Sequence, residues 1–262
     1  MDYQTITFER RNWVAHITLN RPKQLNALNL QMARELMYAA LECDSDRTIR
    51  AVHLSGAGTA FCAGGDLDEF ASAENTAPVL LKEMTTHLHA AISRFARMDA
   101  PLVVAVNGTA AGAGMSLVCI GDLAFAAQSA RFSSAYQRVG LTPDGSSTYY
   151  LARLVGLRRA QELILTSRVL KAAEAEQWGL INGMVKDDEL LAETSAIAAK
   201  LATGPTWAIG RTKQLLLAGG NEALESQMEA ESRSICDAAR TDDFREGLDA
   251  FLSKRSPNFS GR

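Results

Sequence analysis

The stretch Leu102-Val103-Val104-Ala105-Val106-Asn107-Gly108-Thr109-Ala110-Ala111-Gly112-Ala113-Gly114 decides the fold class. Five apolar residues in an unbroken run, bounded by Pro101 and by Asn107-Gly108, read as a strand buried on both faces. That is the pattern of a parallel sheet covered by helices, not of a sheet with one wet face. The run leads into the glycine turn Gly112-Ala113-Gly114, after which a helix is predicted. A strand, a glycine turn and a helix also frame a dinucleotide-binding fingerprint, but the third glycine position of that motif is Leu117 here. What survives is a tight turn at a helix N-terminus, which either presents free N–H groups to negative charge or simply packs strand against helix.

Outward from this stretch the chain alternates strands and helices. Leu81, Met84, Leu88, Ile92 and Phe95 recur at helical spacing between Pro78 and Met98, and Asp99-Ala100-Pro101 ends that helix. Earlier, Trp13, Ala15, Ile17 and Leu19 alternate with Asn12, Val14, His16 and Thr18, which predicts a half-buried strand stopped by Asn20-Arg21-Pro22. Asn29 is placed to cap a helix carrying Met32, Leu36, Met37 and Ala40 on one face. Arg50 to Leu54 and Leu123 to Ala126 read as further strands, the first running into Ser55-Gly56-Ala57-Gly58. Beyond Leu151 the pattern is helical, broken at Gly204-Pro205 and strongly charged from Glu222 to Arg245. The expectation is an α/β core over residues 1–200 and a helical region over 201–262 that packs on the core or on a neighbouring subunit.

The 262 residues are 47% hydrophobic and 22% charged with 19 glycines and 6 prolines, so disorder and fibrous folds are excluded. A net charge of −3 provides no global field for nucleic acid or an anionic membrane. Cys43, Cys62, Cys119 and Cys236 form no C-x-x-C pair, which argues against zinc and a disulfide framework. The amino terminus carries no apolar targeting segment, and no apolar run is long enough to span a bilayer. These features point to a soluble, cytoplasmic protein.

A second glycine loop, Ala60-Phe61-Cys62-Ala63-Gly64-Gly65-Asp66-Leu67, also follows a predicted strand. Two such turns, brought together, would each offer one N–H to a single oxygen, the geometry that stabilises charge developing on a carbonyl.

These two loops, with Asn20-Arg21-Pro22-Lys23-Gln24-Leu25-Asn26-Ala27-Leu28, Asp122, Gly140-Leu141-Thr142-Pro143-Asp144 and Trp178-Gly179-Leu180-Ile181-Asn182, resemble the crotonase family of enoyl-CoA hydratases and isomerases, in order and in spacing. The resemblance implies a crotonase-like spiral of ββα units with a C-terminal helical region, assembled as a homotrimer or hexamer. It further implies an acyl-CoA thioester substrate whose carbonyl sits between the N–H groups of Gly65 and Ala113. Coenzyme A is then part of the substrate, and neither a separate cofactor nor a metal is expected. By motif position Lys23, Leu25, Ala63, Gly64, Asp66 and Leu67 would lie along the coenzyme. Phe251 and Lys254 match a C-terminal pair that reaches the coenzyme site, from a neighbouring subunit if not from the same one.

The carboxylates depart from the family pattern. Typical hydratases carry glutamates where this chain has Ser116 and Tyr136, and water addition needs both, one to activate water and one to protonate C2. Ser116 and Tyr136 would instead line the substrate site. Asp144 remains, at a position where resembling isomerases keep their working carboxylate, although Pro-Asp-Gly is also an ordinary turn sequence. One carboxylate suffices for a 1,3-proton shift through an enolate. His89 opens another route: resembling 4-chlorobenzoyl-CoA dehalogenases have a His at this spacing and an Asp at the Asp144 position, and use them for nucleophilic attack and hydrolysis. A hydratase with non-standard residues and a catalytically weak CoA-ester binding protein are the remaining alternatives.

Overall fold

In the computed structural model, which describes residues 2–262, the chain enters through a hairpin of β1 (Ile6–Arg11) and β2 (Val14–Leu19) in which Arg11 pairs with Val14. Asn12 and Trp13 form the two-residue turn, with φ of 46° and 67°, the left-handed pair that matches the twist of the flanking strands. Trp13 is therefore not the first inward residue of the predicted strand; it sits in the turn, half exposed. Ala15, Ile17 and Leu19 enter the main core as expected, while Val14 is buried on the opposite face.

After β2 come α1 (Leu30–Ser45), β3 (Ala51–Gly56), β4 (Ala60–Cys62), α2 (Leu67–Ser72) and α3 (Ala77–Arg97). Next are β5 (Leu102–Val106), β6 (Thr109–Ala111), α4 (Ala113–Cys119), β7 (Leu123–Ala127) and β8 (Arg131–Ser133). The remainder is α5 (Ser147–Val155), α6 (Leu157–Thr166), β9 (Leu170–Lys171), α7 (Ala172–Trp178), β10 (Gly183–Val185) and α8 (Leu190–Ala202). The chain closes with α9 (Thr206–Gly219), α10 (Leu224–Ala238) and α11 (Asp242–Leu252). Among the described residues no helix is long and apolar enough to cross a membrane.

Six strands form one sheet in the order β1-β2-β3-β5-β7-β10, parallel except for the opening hairpin, and four short ones form a second in the order β4-β6-β8-β9. The chain thus winds as a spiral in which β3, β5 and β7 each hand over to a short strand, β4, β6 and β8. All five residues of β5 are buried because both faces of the large sheet are covered. Leu102, Val104 and Val106 belong to the main core with Met84, Leu88, Ile92 and Phe95 of α3. Val103 packs with Val14 and Ala51 against Ala198 and Ala202 of α8. On that second face His53 Nε2 lies 2.8 Å from Thr194 Oγ1; burial lowers the His53 pKa to about 4.

Local capping holds the first helix as its sequence predicts: the Asn29 side chain accepts from the Met32 amide at 2.9 Å. At the other end of the molecule α9 is fastened to the core by Lys213, whose buried ammonium meets Asp122 Oδ2 at 2.7 Å and the carbonyls of Phe95 and Ala100 at 3.1 and 3.0 Å. Asp122 in turn accepts from the Leu102 amide at 2.7 Å, where β5 begins.

Candidate active site

The short strands bring the two glycine turns together. β4 runs parallel to β6 with Cys62 opposite Ala110, and β6 runs parallel to β8 with Ala111 opposite Ser133, so the loops leaving β4 and β6 emerge side by side. A Cβ on Gly112 would lie 3.4 Å from Gly64 Cα. Gly114 permits this approach: a Cβ there would meet the Cys62 carbonyl at 2.2 Å.

The backbone pairing also fixes where the amides point. Leu28 donates to the Gly64 carbonyl at 2.7 Å and accepts from the Asp66 amide at 2.9 Å, a parallel bridge that engages the residues flanking Gly65 and turns the Gly65 N–H away. Ala113 is the first residue of α4, where an amide has no partner within its own helix. Among the described residues neither amide has an acceptor. Both residues line one cavity of about 250 Å³, walled by Leu81, Met84 and Leu88 of α3, Phe70 of α2, and Leu141 and Thr142. The thiol of Cys62 beneath this turn is pushed up to about 11 by burial, which removes it as a nucleophile.

Asp144 lines the same cavity. Its carbonyl accepts from the Ser147 amide at 3.1 Å, so the main chain of Pro143-Asp144-Gly145 does form a turn. Its carboxylate does not serve that turn: Oδ1 accepts from the Tyr136 hydroxyl at 2.5 Å. The Tyr136 phenol is held well above its usual range, by burial first and by the Asp144 charge second, so it stays protonated. Among the residues lining the cavity Asp144 is the sole carboxylate.

Residues 9–262 match the family model described as enoyl-CoA hydratase/isomerase. The chain belongs to that family. It is 41% identical to a 1,2-epoxyphenylacetyl-CoA isomerase of Escherichia coli over 95% of each chain. It is 37% identical to a 4-chlorobenzoyl coenzyme A dehalogenase of Arthrobacter, over 95% of this chain and 91% of that one. A solved structure of a putative enoyl-CoA hydratase from Streptomyces coelicolor superposes with a TM-score of 0.94 at 32% identity, covering all of this chain and 96% of the other. The spiral of ββ-containing turns is accordingly the crotonase fold.

The family positions fall in different places around the cavity. Ala63, Gly64, Gly65, Leu67, Ala113, Tyr136 and Asp144 line it. Lys23 and Leu25 lie on an exposed turn outside it, where the Leu25 carbonyl accepts from the Ala63 amide at 3.0 Å and steadies the glycine loop. Asp66 does not line it: its carboxylate pairs with Arg21 at 2.8 Å and caps α2. Ser116 is fully buried behind the wall, its hydroxyl donating to the Asp144 carbonyl at 3.0 Å. His89 faces a neighbouring cleft of about 760 Å³, and its Nε2 accepts from the Gly145 amide at 3.2 Å.

Phe251 and Lys254 lie exposed at the end of α11. The tail that follows is tied by Asp243 to the amides of Ser260 and Gly261, in a cleft shared with Trp13 and Arg50 where β3 begins. The glycine turns lie beyond the other end of β3. Phe70, Leu141 and Thr142 line the cavity without having been singled out from sequence, although Leu141 and Thr142 stand inside a family motif.

Proposed function

We propose that this chain isomerises an acyl-CoA thioester by moving a double bond through an enolate, with Asp144 as the proton carrier. The observation that carries the proposal is the pairing of two acceptor-free amides, Gly65 and Ala113, with a single carboxylate in one apolar cavity. The thioester oxygen lies between the amides; Asp144 takes the proton from C2 of a 3-enoyl thioester, the electron pair spreads onto the oxygen as an enolate, and the same carboxyl returns the proton at C4. Hydration would need a second acid or base in the cavity. The hydrolytic route would need an imidazole facing the acyl group, whereas the Nε2 of His89 is occupied by the turn that carries Asp144. The name of the Escherichia coli relative supports both the isomerase class and the coenzyme thioester.

The same reading takes the coenzyme as part of the substrate with no separate cofactor, and the protein as a cytoplasmic trimer or dimer of trimers. Exposed apolar residues on the last two helices, Leu224, Ile235, Leu248 and Phe251, support the assembly.

The test is a panel of 2-enoyl-, 3-enoyl- and aryl-CoA thioesters with product identification. Asp144→Asn should abolish isomerisation while substrate affinity stays close to the parent's, because the amide keeps the shape but accepts no proton. His89→Gln, which retains an acceptor for Gly145, should remain active on 3-enoyl thioesters. Full isomerase activity in Asp144→Asn ends the proposal, and an aryl ester stalled on Asp144 when His89→Gln meets a 4-halobenzoyl thioester, with halide released, transfers the assignment to the hydrolytic route.

A further inference from the structure

We infer that Tyr136 is the positioning residue of the site, holding Oδ1 of Asp144 so that Oδ2 alone is presented to the acyl group; the inference rests on the proton-carrier reading of Asp144. The main chain around Asp144 is fixed from several sides. Its carbonyl accepts from Ser116 Oγ at 3.0 Å, from Ser147 Oγ at 2.9 Å and from the Ser147 amide at 3.1 Å. The next amide is held by His89, and Gly145 takes a φ of +58°, where a Cβ would strike Ser116 Cβ at 2.8 Å. None of these contacts sets the side-chain torsions of Asp144. Among the described residues the carboxylate has one hydrogen-bond donor, the Tyr136 hydroxyl at 2.5 Å.

Tyr136 is itself braced for this task. It opens a short 3-10 turn, Tyr136–Val139, immediately after Ala135, which takes a left-handed φ of 58°, and its amide donates to the Ser134 carbonyl at 2.8 Å. Its hydroxyl oxygen lies 3.3 Å from Ser116 Oγ. Because burial and the facing carboxylate keep the phenol protonated, it stays a donor over the whole working range of pH. A short hydrogen bond from a neutral donor to an ionised carboxylate is of the stronger class, and its loss frees a terminal torsion that otherwise has two nearly equivalent states.

Two consequences separate this role from mere packing. A carboxylate deprived of its one donor is misdirected while the walls that bind the substrate stay in place, so Tyr136→Phe loses kcat far more than it gains KM. With either oxygen free to collect the proton, the carrier also wanders, and more of the transferred hydrogen exchanges with solvent before it reaches C4. Misplacement of a reacting group on this scale lowers kcat by about ten- to a hundredfold, with KM changed much less.

The experiment compares the full-length parent, Tyr136→Phe, Asp144→Asn and a chain with 3-fluorotyrosine at position 136, using a 3-enoyl thioester deuterated at C2. Read out are kcat, KM and the fraction of label retained at C4. The inference expects Tyr136→Phe to show reduced kcat at nearly the parent's KM, with less retained label. The fluorinated phenol, a stronger donor of nearly the same shape, should retain more label than the parent and serves alone if the phenylalanine variant does not fold. Parent-like kcat and label retention in either folded Tyr136 variant, beside an inactive Asp144→Asn, overturn the positioning role only. An active Asp144→Asn overturns the proton-carrier reading and this inference with it.

Discussion

Replacing Ala113 by proline removes one of the two amides from the site with little disturbance elsewhere. Ala113 is the first residue of α4, the helical position that proline favours, since the amide it lacks has no helical partner there. The preceding residue is Gly112, at φ 50° and ψ −121°, an extended conformation mirrored in sign, and it carries no Cβ to crowd the proline ring. The helix should therefore keep its length and its stability to within about 1 kcal/mol. The chemical loss is larger: one of two donors to a developing oxyanion is worth about 2.7–4 kcal/mol, or about two to three orders of magnitude in kcat. The ring carbon also occupies the space in front of the former N–H, so KM rises and the rate has to be read at saturation. Formation of the conjugated thioester, followed by its ultraviolet absorbance, gives kcat, and circular dichroism with a melting curve reports folding. A folded Ala113→Pro protein with kcat within threefold of the parent would show that the oxygen is held by another donor.

Lys213→Met should destabilise the chain by about 3 kcal/mol in urea, the lower end for breaking a buried pair, because Asp122 keeps about a quarter of its side chain in water. Adding Asp122→Leu should restore most of that loss, and two additive losses would contradict the coupling. His53, neutral inside the fold, is charged first in the unfolded chain as pH drops. Stability should therefore fall by about 3 kcal/mol between pH 7 and pH 4, the window set by its shift from 6.5 to about 4. His53→Gln should flatten that part of the curve; an unchanged slope assigns it to other groups. For the assembly, light scattering at micromolar concentration should give the mass of a trimer or its double, and a strictly monomeric mass would sink that proposal.

The parts of the fold that were legible share a physical signature that survives in one dimension. The unbroken run of β5 announced burial on both faces, and the Asn29 cap and the α3 stripe marked helices by chemistry and by period. The hairpin turn was hidden because Asn12 and Trp13 continue the alternation of hydrophobicity, although their backbones reverse the chain. The strands β4, β6 and β8 are three residues each, too short to show a period of two. At the site, the glycine loops could be read as sources of free amides, but their meeting depends on pairing between strands roughly fifty residues apart. The parts played by Ser116 and Asp66 emerge only when distant segments converge, Ser116 behind Asp144 and Asp66 against Arg21. Phe70 gave no signal of its own, since a half-buried aromatic on a six-residue helix is unremarkable until Gly65 leaves room for its ring.

The parallel pairing of β4 with β6 also sets the aperture for an oxygen. Gly65 and Ala113 follow the ends of β4 and β6 within three residues, so the spacing of their amides is inherited from a backbone ladder and not from any side chain. The ruler is main chain, so side chains on the walls such as Leu81, Met84 and Leu88, and Asp144 with them, can be exchanged without altering the gauge. Engineered descendants of this chain can therefore trade one reaction for another by re-equipping the walls, while the ladder that spaces the two free amides passes unchanged from each to the next.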